Sequence, residues 1–383
     1  MPVLNRLRFN RQELAGAFGD IGTDLPLIAG ILLATGLEPA GVFMAFGLAQ
    51  IASGVLYGLP MPVQPLKAMA VVVIAGHATG GQLQLAGLMI GALMLGLAYS
   101  GLLDRLQAAI PVLVVRGIQA GLALALARTS LGLIGREGRW GWAAGIAAVA
   151  LLVWLRNHRH LPGALLVIGA GALWASFARI NWPALVAGFG WITPQPAAMP
   201  WDQWLTALAV LVLPQVPLSL SNSVIATQRT VADLFPERPV SLRAIGRTYG
   251  VINLLSPWIG GIPMCHGCGG LAGYYALGAR TGGSVVIYGS LYLAIGTLFS
   301  GAFQEVLRAF PAPVLGAVLL VEAGVLFLLL REVPRTPLAL GLAAIVAVVC
   351  VLAPQGYLTG MIVGCILFYS LRRWLPPPAR PAG

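Results

Sequence analysis

Charge is what this sequence lacks most. Only 9% of its 383 residues are Asp, Glu, Lys or Arg, against about 25% in soluble globular chains. The 23 basic and 12 acidic side chains are too few to clothe a water-exposed surface at this length, which excludes a soluble enzyme. Lysine is almost missing: Lys67 is the single one, and the other basic residues are all Arg. A net charge of +11 would suggest nucleic acid in a soluble protein. Here the arginines are scattered through short loops, no arginine-rich run is flanked by aromatics, and nucleic acid is excluded as a partner. The four cysteines form no secreted framework, so no disulfide scaffold is expected. The start, MPVLNRLRFNRQE, is basic and polar and leads straight into an apolar stretch, without the pattern of a cleavable signal.

What is present is apolar chain, at 58% hydrophobic, with 49 Gly and 27 Pro. Membrane helices carry more of both than soluble ones do. Stretches bounded by charge, Pro or Gly predict spans at 14–36, 39–58, 62–76, 83–101, 108–127, 140–155, 161–178, 203–227, 241–259, 263–277, 282–300, 311–330, 336–353 and 355–371. That makes 14, and the fold class is an all-α polytopic membrane protein in a lipid bilayer. The third and tenth are too short to cross about 30 Å of hydrocarbon as regular helix. With the N-terminus placed in the cytoplasm, 16 arginines fall on that side. Five fall opposite: Arg128, Arg136, Arg139, Arg179 and Arg308. This bias obeys the positive-inside rule and puts both termini in the cytoplasm of a multi-pass protein, the expected site being a bacterial cytoplasmic (inner) membrane. The segment Ala127–Trp140, read as a loop, holds three of the five exceptions.

The chain repeats itself weakly. Leu59-Pro60-Met61 recurs as Ile262-Pro263-Met264 at an offset of 203, and Pro111-Val112-Leu113 as Pro313-Val314-Leu315 at 202. Asp20 corresponds to Asn222, also at 202. Seven spans per half is an odd number, so the second half (203–373) enters the membrane from the side opposite to the first (1–178). Short Gly/Pro-broken segments at matching places in a seven-plus-seven inverted repeat are the pattern of secondary transporters, with the site near the midplane.

Three polar clusters fall at membrane depth. In the run from Gly58 to Lys67, three prolines forbid regular helix. A helix is expected to start near Pro65, with the first-turn N–H groups around Pro65 and Leu66 turned inward, Gln64 adding an amide and Lys67 a cation. A charge at the bilayer centre costs about 2.5–3.5 kcal/mol on insertion scales, so Lys67 needs a partner or a watery cavity unless it snorkels to the interface. The run from Gly260 to Gly273 is its repeat mate, with Cys265, His266, Gly267 and Cys268. Two opposed helix N-termini make an anion site with few charged side chains. The cysteine and histidine spacing fits neither a metal set nor haem attachment, so no metal and no cofactor is expected. The third cluster joins Asp20, Thr23 and Asp24 with Gln215, Ser219 and Asn222. The Asp20 and Asp24 carboxylates either carry a coupling ion, proton or sodium, or balance Lys67. The Ser and Asn groups also suit interhelical packing. Arg116 and Glu322 occupy mirrored spans and are the expected gate-side pair. No nucleophile-and-base spacing or phosphate loop argues for catalysis.

Pro62-Val-Gln-Pro-Leu-Lys-Ala68 and Pro263-Met-Cys-His-Gly-Cys-Gly-Gly-Leu-Ala-Gly-Tyr-Tyr-Ala-Leu-Gly-Ala-Arg-Thr-Gly282 resemble the two hallmarks of the molybdate transporter family, distant relatives of the sulfate permeases. Phe18-Gly-Asp-Ile-Gly-Thr and Leu218-Ser-Leu-Ser-Asn-Ser-Val-Ile-Ala-Thr227 match as well. The resemblance implies a fold like that of uracil and sulfate permeases, with spans 1–4 and 8–11 as a core and spans 5–7 and 12–14 as a gate. It implies a transporter of molybdate, or of the related tetrahedral dianions sulfate and tungstate, and homodimers are common in that wider fold. Only PPPARPAG follows Leu375, so no C-terminal soluble domain is expected. An anion channel built on the same helix ends remains the alternative, separable by saturation and counterflow.

Overall fold

The computed structural model describes residues 7–103, 105, 111–155, 163–353 and 356–375, apart from the side chains of Ser221 and Leu358. The expectations for the chain ends and for Arg6, Arg156, Arg159 and Arg380 lie outside the described residues. The first expected span is broken. It forms α1 (Arg11–Gly16) and α2 (Ile21–Thr35), with Asp20 at the head of α2. Proline at the first turn starts α3 (Pro39–Tyr57), and Gly58 ends it with φ 62, a left-handed conformation that suits glycine. The chain then runs extended through β1 (Gln64–Pro65) into a short α4 (Lys67–Ile74). A Thr79–Gln82 capping box opens α5 (Gly80–Ser100).

The next helix corrects the sequence reading. α6 (Val112–Gly135) runs eight residues beyond the expected end and α7 (Gly138–Leu155) follows at once, so the expected loop at 127–140 is nearly all helix. The apolar faces of this stretch continue past Arg128, which is exposed and needs no loop to reach the surface. After α8 (Gly163–Ala178) and α9 (Trp182–Ala187) comes α10 (Trp201–Leu234), 34 residues long. Its turns widen at Leu208–Val212 and Ser219–Ala226, around the prolines 214 and 217, which cannot donate in a regular ladder. α11 (Leu242–Leu255) is capped by Ser241. The second broken stretch gives β2 (Met264–Cys265) and α12 (Cys268–Ala276). The chain ends with α13 (Gly283–Leu298), α14 (Ser300–Ala309), α15 (Ala312–Leu328), α16 (Pro337–Leu352) and α17 (Gly356–Leu371).

By length and composition, six of the described helices suffice to cross a membrane: α3, α5, α6, α7, α10 and α15. The pair α13 and α14, bent by 95°, makes a seventh. α2, α8 and α16 are apolar but shorter. All ten tryptophans are exposed, as expected where a bilayer rather than water meets the surface.

The two extended segments pair antiparallel at the centre, Gln64 opposite Cys265 and Pro65 opposite Met264. Their flanking carbonyls are satisfied by side chains placed alike on two helices. On α3, Ser53 donates to the Met61 carbonyl at 2.9 Å and Gln50 to that of Val63 at 3.0 Å. Beside and on α11, Ser256 donates to the Ile262 carbonyl at 3.0 Å and Asn253 to that of Met264 at 2.6 Å. Ser256 and Asn253 lie 203 positions after Ser53 and Gln50. Lipid offers no hydrogen bonds, so broken chain at this depth requires such partners. Helices also cross in matched pairs. α3 meets α13 where Gly47 faces Gly289, and α5 meets α11 where Gly91 faces Gly250. Of the other small residues expected to allow close approach, Gly87 faces Pro263, while Gly96 has no neighbour within 4 Å of an added Cβ. α6 packs against α15 and α16.

Candidate functional site

A small cavity of about 20 Å³, with both polar and apolar walls, lies beside the strand pair, room for about one water. Gln64, Lys67, Gln215, Asn222 and Cys265 line it. These five come from four places in the chain that the sequence reading had singled out. Gln119 on α6, Ser223 on α10 and the apolar Leu122, Leu218 and Leu326 complete the lining. Gln119 and Ser223 were not anticipated. The one available signal for Gln119 was a lone amide three residues beyond Arg116 in an otherwise apolar helix.

Gln64 is held from both sides. Its amide nitrogen donates to both oxygens of Asp20 at 2.6 Å. Glycine is required opposite it, because a Cβ on Gly267 would collide with the Gln64 amide oxygen, and one on Gly270 would meet Asp20 and Gln64. Asp20 therefore positions Gln64 and does not line the cavity. Thr23 lines a different space, a cleft of about 1020 Å³ bounded by α2, α6, α7, α12 and α15. Asp24 is buried on the far side of α2, where Tyr288 donates to it at 2.8 Å and Tyr292 lies 2.7 Å from Tyr288. Its second oxygen has no partner in the described structure.

At the expected helix-terminus site the first N–H groups of α4 are already engaged. α4 starts at Lys67, two residues after Pro65, because the chain first completes its strand pairing. The Leu66 N–H donates to the Pro263 carbonyl at 3.2 Å, and Pro65 has no N–H. Ala68 and Met69 donate to the Gln215 side-chain oxygen at 3.0 and 3.3 Å. Gln215 thus caps α4 from another helix, and Pro65 and Leu66 offer no donor to a ligand. On the other side Gly267 begins α12 with no side-chain cap. Cys265 is buried in β2, and the Cys268 thiol donates to the Asn222 oxygen at 3.4 Å.

Two other candidates are occupied. Ser219 accepts from Gln215 at 3.1 Å and lies 2.8 Å from the Tyr249 hydroxyl. His266 has Thr248 at 2.8 Å on one ring nitrogen and the Pro62 carbonyl at 2.9 Å on the other. It locks one broken segment to the other and has no nitrogen left for a ligand.

The expected pair between Arg116 and Glu322 does not form. Glu322 is taken by Lys67, whose Nζ lies 2.5 Å from its carboxylate. Arg116 donates to Gln119 at 2.7 Å and pairs with Glu332, in the turn just after α15. The two cations are similarly buried, at 20% exposure for Lys67 and 17% for Arg116, but Lys67 holds the buried carboxylate, Glu322 at 8%, and Arg116 the exposed one, Glu332 at 56%. Among the described residues, no group of three His, Cys, Asp or Glu side chains is placed to hold a metal ion.

A family profile described as "Molybdate transporter of MFS superfamily" matches residues 12–126 and 207–327. Molybdate transporter 1 of Arabidopsis thaliana is 31% identical over 354 residues, covering 80% of this chain and 77% of that protein. Molybdate transporter 2 of the same plant is 32% identical over 362 residues, covering 82% and 77%. This chain belongs to the molybdate transporter family. The molybdate transporter 1 of Chlamydomonas reinhardtii is also similar, at 26% identity over 92% of this chain and 90% of that one. The fold of this family member is that of two solved anion-transporter structures. The transmembrane domain of the cyanobacterial bicarbonate transporter BicA aligns with TM-score 0.67 at 15% identity, covering 94% of this chain and 98% of that domain. Murine Slc26a9 in its inward-facing state aligns with TM-score 0.69 at 14% identity, covering 98% and 71%. The site described above therefore sits in a multi-pass membrane protein of a transporter family, on an anion-transporter fold.

Proposed function

We propose that this protein is a secondary transporter of a tetrahedral oxyanion, molybdate first, with tungstate and sulfate as the chemically nearest competitors. The observation that carries the reading is the convergence of Lys67, Gln64, Gln215 and Asn222 on one cavity between two half-helix N-termini. That is one cation, the amides of Gln215 and Asn222 and the positive ends of two helix dipoles, a set suited to an anion carrying hydrogen-bond acceptors on every face. Loading requires the cavity to widen beyond about 20 Å³, with the Gln215 cap withdrawn or turned toward the anion.

The broader architecture of the proposal has fourteen crossings in two inverted halves, 1–178 and 203–373. Spans 1–4 and 8–11 act as a core moving against a gate of spans 5–7 and 12–14. Support comes from the matched carbonyl caps on α3 and beside α11 and from the paired glycine crossings. The cleft of about 1020 Å³ between α2 and α12 on one side and α6, α7 and α15 on the other is the route to one face of the membrane. Symport with a proton or sodium, a homodimeric assembly and a bacterial cytoplasmic membrane with both termini inside belong to the same reading.

The test is uptake of labelled molybdate by proteoliposomes holding the purified chain, in competition with tungstate, sulfate and uracil. Saturable uptake, competed by the oxyanions and untouched by uracil, is expected. Counterflow driven by internal molybdate separates carrier from channel. Non-saturating flux with no counterflow would replace the carrier with a channel, and competition by uracil alone would replace the substrate class.

A further inference from the structure

The Lys67–Glu322 pair sits where two spaces meet. Lys67 borders the small cavity, and Glu322 borders the large cleft. The two residues come from different packing groups, α4 lying mainly on α2 and α15 mainly on α6. Neither side chain is freely exposed, at 20% for Lys67 and 8% for Glu322. Lys67 is the one cation on the cavity wall, and it already has a counter-ion at 2.5 Å.

A dianion arriving beside Lys67 therefore meets a carboxylate in the place it needs. Like charges held a few ångströms apart at low dielectric do not both stay ionised. Of the two residues of the pair, Glu322 is the one that borders the cleft. We propose that the oxyanion replaces Glu322 as the counter-ion of Lys67, and that the released Glu322 takes up one proton from cleft water. The Lys67–Glu322 ion pair breaks, an O–H bond forms on the Glu322 carboxyl, and Lys67 keeps its protons. The site changes from neutral to a net charge of −1, where an unprotonated Glu322 would have left −2. Each dianion then travels with one proton.

The neighbouring charges leave this role to Glu322. Asp20 is fixed by Gln64 and Asp24 by Tyr288, and neither borders the cavity. Arg116 on α6 is engaged by Gln119 and Glu332, and Arg128 on the same helix is exposed. α7 carries only Arg139 at its start and α8 carries no charge. This inference rests on the oxyanion-transport reading.

The experiment uses proteoliposomes of the full chain with a trapped pH dye and labelled molybdate. In the wild type, molybdate entry is expected to acidify the lumen, and an inward proton gradient is expected to drive accumulation. Glu322→Gln is expected to abolish acidification and to lower gradient-driven accumulation at least tenfold, with molybdate counterflow that no longer varies with pH. Glu322→Asp keeps a carboxyl and is expected to restore acidification. Gradient-driven accumulation with acidification in Glu322→Gln overturns the proposal. If that variant does not fold, the wild type still decides: molybdate accumulation without proton entry overturns it, and acidification rescued in Glu322→Asp supports it. Failure of wild-type counterflow with molybdate, tungstate and sulfate alike would instead sink the transport reading beneath it.

Discussion

Gly270→Ala is the sharpest steric probe of the site. A Cβ built there lies 2.5 Å from one Asp20 oxygen, 2.6 Å from the Gln64 amide nitrogen and 2.7 Å from the Asp20 carboxyl carbon. Comfortable contacts are about 3.5–4.0 Å, so the Asp20–Gln64 pair must retreat by roughly 1 Å. It has nowhere to go, since both residues are 2% exposed. Overpacking of this kind costs about 1–3 kcal/mol. Its neighbour is the control. Gly269 lies on the same turn of α12, is exposed, and an added Cβ meets nothing within 4 Å. Both substitutions gain about the same helix propensity, so their difference isolates the collision. If the strain is relieved by displacing Gln64, the ratio of molybdate kcat/KM between Gly269→Ala and Gly270→Ala is expected to be about 5- to 150-fold. If it is borne by the whole core, Gly270→Ala melts at lower temperature in detergent while Gly269→Ala does not. Equal uptake and equal melting temperature for the two variants would refute the packing on which the site rests.

Gln215→Leu removes the acceptor for the Ala68 and Met69 N–H groups; about 1–3 kcal/mol of stability should be lost, read as a lower melting temperature together with weaker molybdate binding. Asn253→Ala strips both hydrogen bonds from the Met264 backbone, and a similar loss is expected, with faster amide exchange at β2; unchanged exchange would show that the strand pair holds without its clamp. Arg116→Gln breaks a pair whose partner Glu332 is 56% exposed, so under about 1 kcal/mol is expected and uptake should stay near wild type; a collapse of uptake would give Arg116 a direct contact with the anion.

The sequence by itself determined the solvent and the address of the site. Too little charge for a water surface made the chain a membrane protein, and three prolines before Lys67 with six glycines around His266 marked where helix had to break. Those are local consequences of hydropathy and of missing N–H groups, legible without neighbours. Helix ends were less legible. The chain does not mark that α6 continues to Gly135, because an arginine ends a span or lies exposed along it according to what packs beside it. The pairing of groups was decided by tertiary structure alone. Side-chain chemistry said that Lys67 needed a partner or a watery cavity unless it snorkelled; only the approach of α15 to α4 selected Glu322 over Asp20. Gln215 was read as a ligand, and the fold also gives it the work of a cap, its oxygen accepting from an amide on α4 that lies 147 positions away in the chain. Gln119 was invisible for the same reason: a lone amide on an apolar helix acquires meaning only from the cavity that another helix brings to it. Propensity and hydropathy act between near neighbours in sequence, whereas the site is an arrangement of side chains from α4, α6, α10 and α15 and from β1 and β2, whose proximity no local rule encodes.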